Sequence, residues 1–134
     1  MKKTLLLLVL IALLISCTSK KEKAIQYNKS GIKSMFSLKD KDAMEYFTLA
    51  IEMDSTFDQP YYYRGNLKYG EGDYQGALAD YNKAIALNPK YSEAYSHRGN
   101  VFEKLHQDAN ACKDFQKAHD LGEPNLEDKL IHCQ

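Results

Sequence analysis

Two near-copies of one hexapeptide, YYYRGN at 61–66 and YSHRGN at 95–100, stand thirty-four residues apart in this chain. A third, fainter copy begins at Tyr27. Aligned at that interval without gaps, Ala24–Phe57, Asp58–Tyr91 and Ser92–Asn125 keep five columns in all three units. These are Tyr27/Tyr61/Tyr95, Gly31/Gly65/Gly99, Ala43/Ala77/Ala111, Phe47/Tyr81/Phe115 and Ala50/Ala84/Ala118. A fixed period of this length marks a chain that writes one supersecondary unit repeatedly and buries its core by stacking the copies.

Each unit reads as two amphipathic runs parted by a turn. In the second unit, Gln59–Tyr69 and Tyr74–Leu87 flank GEGD at 70–73. Gly70 and Gly72 suit the backbone angles that end a helix, and Asp73 suits the cap of the next. Ala77, Tyr81 and Ala84 fall at i, i+4 and i+7, one helical face. Gly65 follows Tyr61 by four residues, so a gap sits one turn from a large ring. A glycine within a helix costs about 1 kcal/mol relative to alanine. Its recurrence predicts a close approach, with the second helix laying its alanines against the gap and Tyr61 plugging the seam. Pro89 stops the second helix, and Ser55 in its place predicts a less sharply set end in the first unit.

Sixteen residues after Arg64 and Arg98 come Asp80 and Asp114, while the first unit has Ser30 and Tyr46 at those two places. Both charges occur together or both are absent. That predicts Arg64–Asp80 and Arg98–Asp114 pairs across the hairpins, partly exposed and contributing about 0.2–1 kcal/mol each. Residues 126–134 read as a last amphipathic helix with Leu126, Leu130 and Ile131 on one side and Asn125 as its N-cap. Such a cap covers the apolar face that a final hairpin would expose.

The columns and their spacing resemble the tetratricopeptide repeat, and the resemblance covers residues 24–125. It implies an all-α solenoid of three helical hairpins, at 24–57, 58–91 and 92–125, plus the capping helix at 126–134. It also implies a binding groove, because the first helices of such hairpins line a concave face that holds an extended peptide or a partner's helix. Carried onto this chain, the groove positions are Asn28, Ile32 and Met35, then Tyr62, Asn66 and Tyr69, then Ser96, Asn100 and Glu103. An amide such as Asn66 or Asn100 offers a peptide backbone both donor and acceptor. Tyr62 and Tyr69 offer flat apolar area with a polar tip. Members of the family that clamp a chaperone's C-terminal carboxylate do so with basic residues. The corresponding positions here hold Asn28, Ile32, Tyr63, Glu93 and His97, so a receptor for such tails is not expected.

The amino terminus, MKKTLLLLVLIALLISC, runs from two lysines through an apolar stretch too short to span a bilayer to a small residue and Cys17. Leu14, Ile15, Ser16 and Cys17 resemble a bacterial lipobox. By that resemblance residues 1–16 are a signal peptide, Cys17 is the lipidated first residue and 17–23 form a polar tether. Two or three acyl chains, at about 0.8 kcal/mol per buried CH₂, then anchor the chain stably. Thr18 stands where retention at the inner membrane would call for Asp, which implies the outer membrane, facing the periplasm.

Eighteen bases balance eighteen acids over the whole chain, so no global field favours nucleic acid. Cys112 and Cys133 remain once Cys17 is set aside. They form either a disulfide closing a loop of roughly twenty residues, at about 3 kcal/mol, or two buried thiols. The four histidines show no ligand spacing, no CxxC accompanies them, and no phosphate loop or nucleophile motif occurs, so no metal, cofactor or catalytic residue is expected. Two functional readings follow. One is an envelope adaptor that docks a protein partner in its groove; the other is a structural spacer within a larger complex. Self-association through an exposed first helix is open to either.

Overall fold

A computed structural model of the chain describes residues 2–133, with side-chain surroundings described from Ser19 onward. Among the described residues all regular structure is helical: α1 (Lys2–Phe36), α2 (Asp40–Met53), α3 (Asp58–Gly70), α4 (Tyr74–Leu87), α5 (Ser92–Lys104), α6 (Asp108–Asp120) and α7 (Glu127–Ile131). The helices pack as consecutive pairs, α1 with α2, α3 with α4 and α5 with α6. The chain divides into two compact units, one ending at Ser55 and the other beginning at Thr56. The Cys17 side chain, and with it the expected lipid attachment, lies outside the described surroundings. Residues 18–23, within the expected polar tether, are helical as part of α1, as good helix formers such as Lys and Glu allow. Among the described residues no helix is long and apolar enough to cross a membrane.

Every hairpin closes on the same joint. A Cβ placed on Gly31, Gly65 or Gly99 would come within 2.6, 2.8 or 2.6 Å of the ring of Phe47, Tyr81 or Phe115 respectively. The gap predicted from the glycines is therefore filled by the second helix's aromatic ring, not by its alanines. Those alanines pack beside the ring: Ala43, Ala50, Ala77, Ala84, Ala111 and Ala118 are all buried. Burying each ring fully contributes about 1.5–3 kcal/mol, which outweighs the roughly 1 kcal/mol that glycine costs its helix.

The turns repeat as well. Gly72 takes φ +81° and the Asp73 amide reaches back to the Lys68 carbonyl at 2.9 Å, closing α3 with a Schellman arrangement. Gly70, also expected to turn, is the last residue of α3 instead. Asp73 caps α4 by accepting from the Gly76 amide at 2.9 Å. The second helices of the first two hairpins end alike with or without proline. Asp54 and Asn88 are both extended, and their amides reach Ala50 and Ala84 at 2.9 and 2.8 Å. The blurred end expected from Ser55 is thus absent, because the backbone bond rather than the proline sets it.

α7 packs on α6. Leu126 is buried in a cluster with Ala111, Phe115 and Ala118, and Leu130 packs against it. Ile131, expected beside them, is 64% exposed. Asn125 does not cap this helix; it adopts φ +60°, and the capping position falls to Leu126 without a side-chain bond. The helix has only five residues, so its hold comes from elsewhere. Cys112 and Cys133 are joined by a disulfide, with Cα atoms 5.4 Å apart, and Lys129 pairs with Glu103.

Candidate functional site

In the second unit α3 and α5 lie side by side. Buried carboxylates fix both helices. Arg64 donates to Asp80 through Nε at 2.9 Å and Nη2 at 2.8 Å, and Lys68 Nζ joins the same carboxylate at 2.8 Å. Arg98 grips Asp114 twice at 2.7 Å and extends Nη1 to Asn82 at 2.6 Å, so one side chain ties α5 to both α4 and α6. The aspartates were expected to be half in water, yet their side chains are only 5% and 7% exposed. At that depth removing one partner strands the other, and the cost is several kcal/mol rather than a few tenths. Lys68 and Asn82 escaped the sequence argument because neither recurs in the other units.

Three of the nine groove positions point inward. Tyr62 is 9% exposed, Ser96 8% and Asn28 only 3%. For Tyr62 the cause is stacking: a residue outward on its own hairpin is covered by the rings of Tyr91 and His97 once α5 lies beside α3. Tyr62 sits at the centre of four rings, with centroids 4.9 Å from Tyr91, 5.1 Å from Tyr63, 5.3 Å from His97 and 6.2 Å from Tyr81. Its hydroxyl lies 3.4 Å from His97 Nε2. Asn66 is half-buried and accepts from the Tyr81 hydroxyl at 2.7 Å, which engages one side of its amide. Tyr69, Asn100 and Glu103 are half-buried too, Tyr69 against Tyr74 at 5.7 Å and Glu103 in its pair with Lys129. Ile32 and Met35, also half-buried, belong with Asn28 to the first unit.

The electrostatics follow from this burial. Desolvation raises the phenol of Tyr62 above its ordinary value, with Asn66 opposing and Glu93, Tyr63 and Glu123 adding to the rise. Tyr91 is raised by burial and then by its tyrosine and carboxylate neighbours. Burial lowers the affinity of His97 for a proton, against the pull of Glu93. Tyr91, Tyr63 and His97 fell outside the expected partner-binding set; the signals for Tyr63 and His97 were their places among the positions that grip a carboxylate in other members of the family, and nothing pointed to Tyr91. Among the described residues no group of three or more His, Cys, Asp or Glu is placed to hold a metal ion.

Residues 65–105 match the family model described as TPR repeat. That segment is made of tetratricopeptide repeats. The fold agrees over most of the chain. The first tetratricopeptide domain of Spaghetti (RPAP3), solved with the HSP90 peptide SRMEEVD, superposes with a TM-score of 0.79 at 26% identity, covering 84% of this chain and 91% of that one. The Arabidopsis OM64 domain gives 0.80 at 22% identity, covering 86% and 97%, a likeness of fold alone. In sequence, 55 residues (41% of this chain) are 44% identical to human Tetratricopeptide repeat protein 6. A further 85-residue match, over 58% of the chain at 33% identity, is to a UDP-N-acetylglucosamine–peptide N-acetylglucosaminyltransferase of Giardia intestinalis. The aligned segments span only 11% and 6% of those two proteins.

Proposed function

We propose that this repeat protein is a lipid-anchored adaptor of the bacterial cell envelope, attached through Cys17 to the outer membrane on its periplasmic side. Its partner is another envelope protein, which offers an extended peptide or one helix to the face shared by α3 and α5. The observation that carries the reading is that face itself. Tyr69 and Asn100 stand half-exposed on a floor fixed from behind by two buried Arg–Asp pairs, so a partner meets a preformed surface. The peptide held by the Spaghetti domain supports binding as the task of this fold. The rival spacer reading has no observation in its favour.

Tyr62→Ala is a poor probe, because Tyr62 is buried and its loss would disturb packing. Tyr69→Ala combined with Asn100→Ala leaves the floor intact. With the full chain as bait on membranes, the double variant is expected to lose the partner captured by the parent while keeping its circular dichroism. Equal capture by both would remove the adaptor reading. Cys17→Ala is expected to abolish incorporation of a labelled fatty acid and to release the chain from membranes; continued labelling would refute the anchor.

A further inference from the structure

Resting on the adaptor reading, we propose that the α3–α5 face selects a basic peptide: a lysine or arginine of the partner lies against Tyr63 and Tyr91, with Glu93 and Glu123 as its counter-charges. Tyr62 is the floor of this spot, and Tyr63, Tyr91 and His97 rise around it at the ring separations given above. Tyr63 and Tyr91 are half-buried, so part of each ring stays open to an incoming group. The face of an aromatic ring is electron-rich and attracts a cation within about 6 Å.

Charge at the edge points the same way. Glu93 is exposed and Glu123 half-buried, and a single hydroxyl, Ser92 Oγ, lies 3.0 Å from a carboxylate oxygen of each. One hydroxyl has one hydrogen, so it satisfies only one of the two carboxylates at a time. Among the described residues four basic side chains of this unit are engaged elsewhere: Arg64 and Lys68 on Asp80, Arg98 on Asp114, and Lys129 on Glu103. None forms an ion pair with Glu93 or Glu123. His97, whose ring packs on Tyr62, has its affinity for a proton lowered by burial. The spot therefore combines aromatic faces with two carboxylates that lack a cation, and a partner's lysine or arginine supplies the complement. An acidic tail such as SRMEEVD, bound by the Spaghetti domain, would instead meet like charge.

The test uses the full chain in detergent and three fluorescein-labelled heptapeptides, GKRLKRG, SRMEEVD and the neutral GSQLSQG, read by anisotropy. The basic peptide is expected to bind at least about tenfold more tightly than the acidic one and to weaken as salt rises. Glu93→Gln is expected to weaken the basic peptide by about fivefold and Tyr63→Ala by a similar factor, with the acidic peptide unaffected or improved. Glu93 is exposed, so Glu93→Gln should leave the melting temperature unchanged. Equal or tighter binding of SRMEEVD, or an unchanged basic-peptide affinity in Glu93→Gln, overturns the selection. Preferential binding of the neutral peptide, lost in the Tyr69→Ala/Asn100→Ala variant, overturns this inference while leaving the adaptor standing. Binding of none of the three overturns this inference, and the membrane capture experiment then decides the adaptor separately.

Discussion

The first hairpin and the two that follow share one joint and differ in their second fastening. All three bury an aromatic ring against a glycine. Only the second and third add a bidentate Arg–Asp pair sixteen residues apart. Where the pair would be, the first hairpin has Ser30 and Tyr46, which line a polar cleft of about 270 Å³ with Lys33 and Ser34. Tyr46 instead stacks with Tyr27, centroids 6.4 Å apart. Lys33, exposed, replaces the buried Leu67 and Val101 of the other units. The ring in its gap is thus sufficient to close a hairpin, and the ion pair is an addition. It serves the hairpins whose first helices make up the proposed binding face.

That contrast can be broken most directly at Asp114. Asp114→Ala should cost about 3 kcal/mol, because Arg98 is left largely buried without its carboxylate. Tyr46→Ala, at the equivalent place in the first hairpin, should cost about 1 kcal/mol for a lost ring contact. Denaturant unfolding followed by circular dichroism measures both, and equal losses would erase the distinction. The disulfide ranks close behind: reduction, or Cys112→Ser, should remove about 3 kcal/mol from the third hairpin and its cap. Thermal unfolding with and without dithiothreitol tests this, and coincident curves would show that Leu126 and Lys129 hold the cap unaided.

Alanine at Gly31, Gly65 and Gly99 should separate the shared joint from the added pair. Each new Cβ meets a fully buried ring, so about 1–3 kcal/mol of overpacking competes with about 1 kcal/mol of helix propensity gained. A small net loss is expected at all three sites. A gain at Gly31 alone would mean that the first hairpin's ring is free to move.

A smaller effect should appear with pH. His97 stands where the first hairpin has the exposed Lys29, and it faces Tyr62, Tyr81 and Glu93. Its folded value is lowered, so the unfolded chain takes up the proton first. Stability is therefore complete above the ordinary histidine value of about 6.5 and declines as pH falls through it. Melting temperatures between about pH 7.5 and about pH 5.5 should fall less in His97→Gln than in the parent; parallel curves would exclude His97 as the cause. The least effect is expected from grafting the pair itself. Ser30→Arg with Tyr46→Asp should leave stability within about 1 kcal/mol, since a buried ion pair often only offsets its own desolvation. A large gain would show that the first hairpin merely lacks a fastener it could use.

Most of this architecture was legible in the letters. The thirty-four-residue period gave the hairpins, and the joint appearance of arginine and aspartate gave their pairing. Asp73 as a cap followed from side-chain chemistry at a helix start. Less could be read of the site. The sequence placed Tyr62, Ser96 and Asn28 outward by considering each hairpin alone, and all three are buried. It also left the cysteines open between a bridge and two thiols.

Periodicity is a property of the chain, so the sequence by itself determined what repeats: the ring, the gap, the turn and the charged pair. Burial belongs to neighbours that the period does not name. Only the tertiary structure decided that a ring rather than an alanine fills the gap, and that Tyr62 is a floor rather than a handle. The reason is physical: a helix face has one register in the sequence, but what covers it depends on the helix laid beside it.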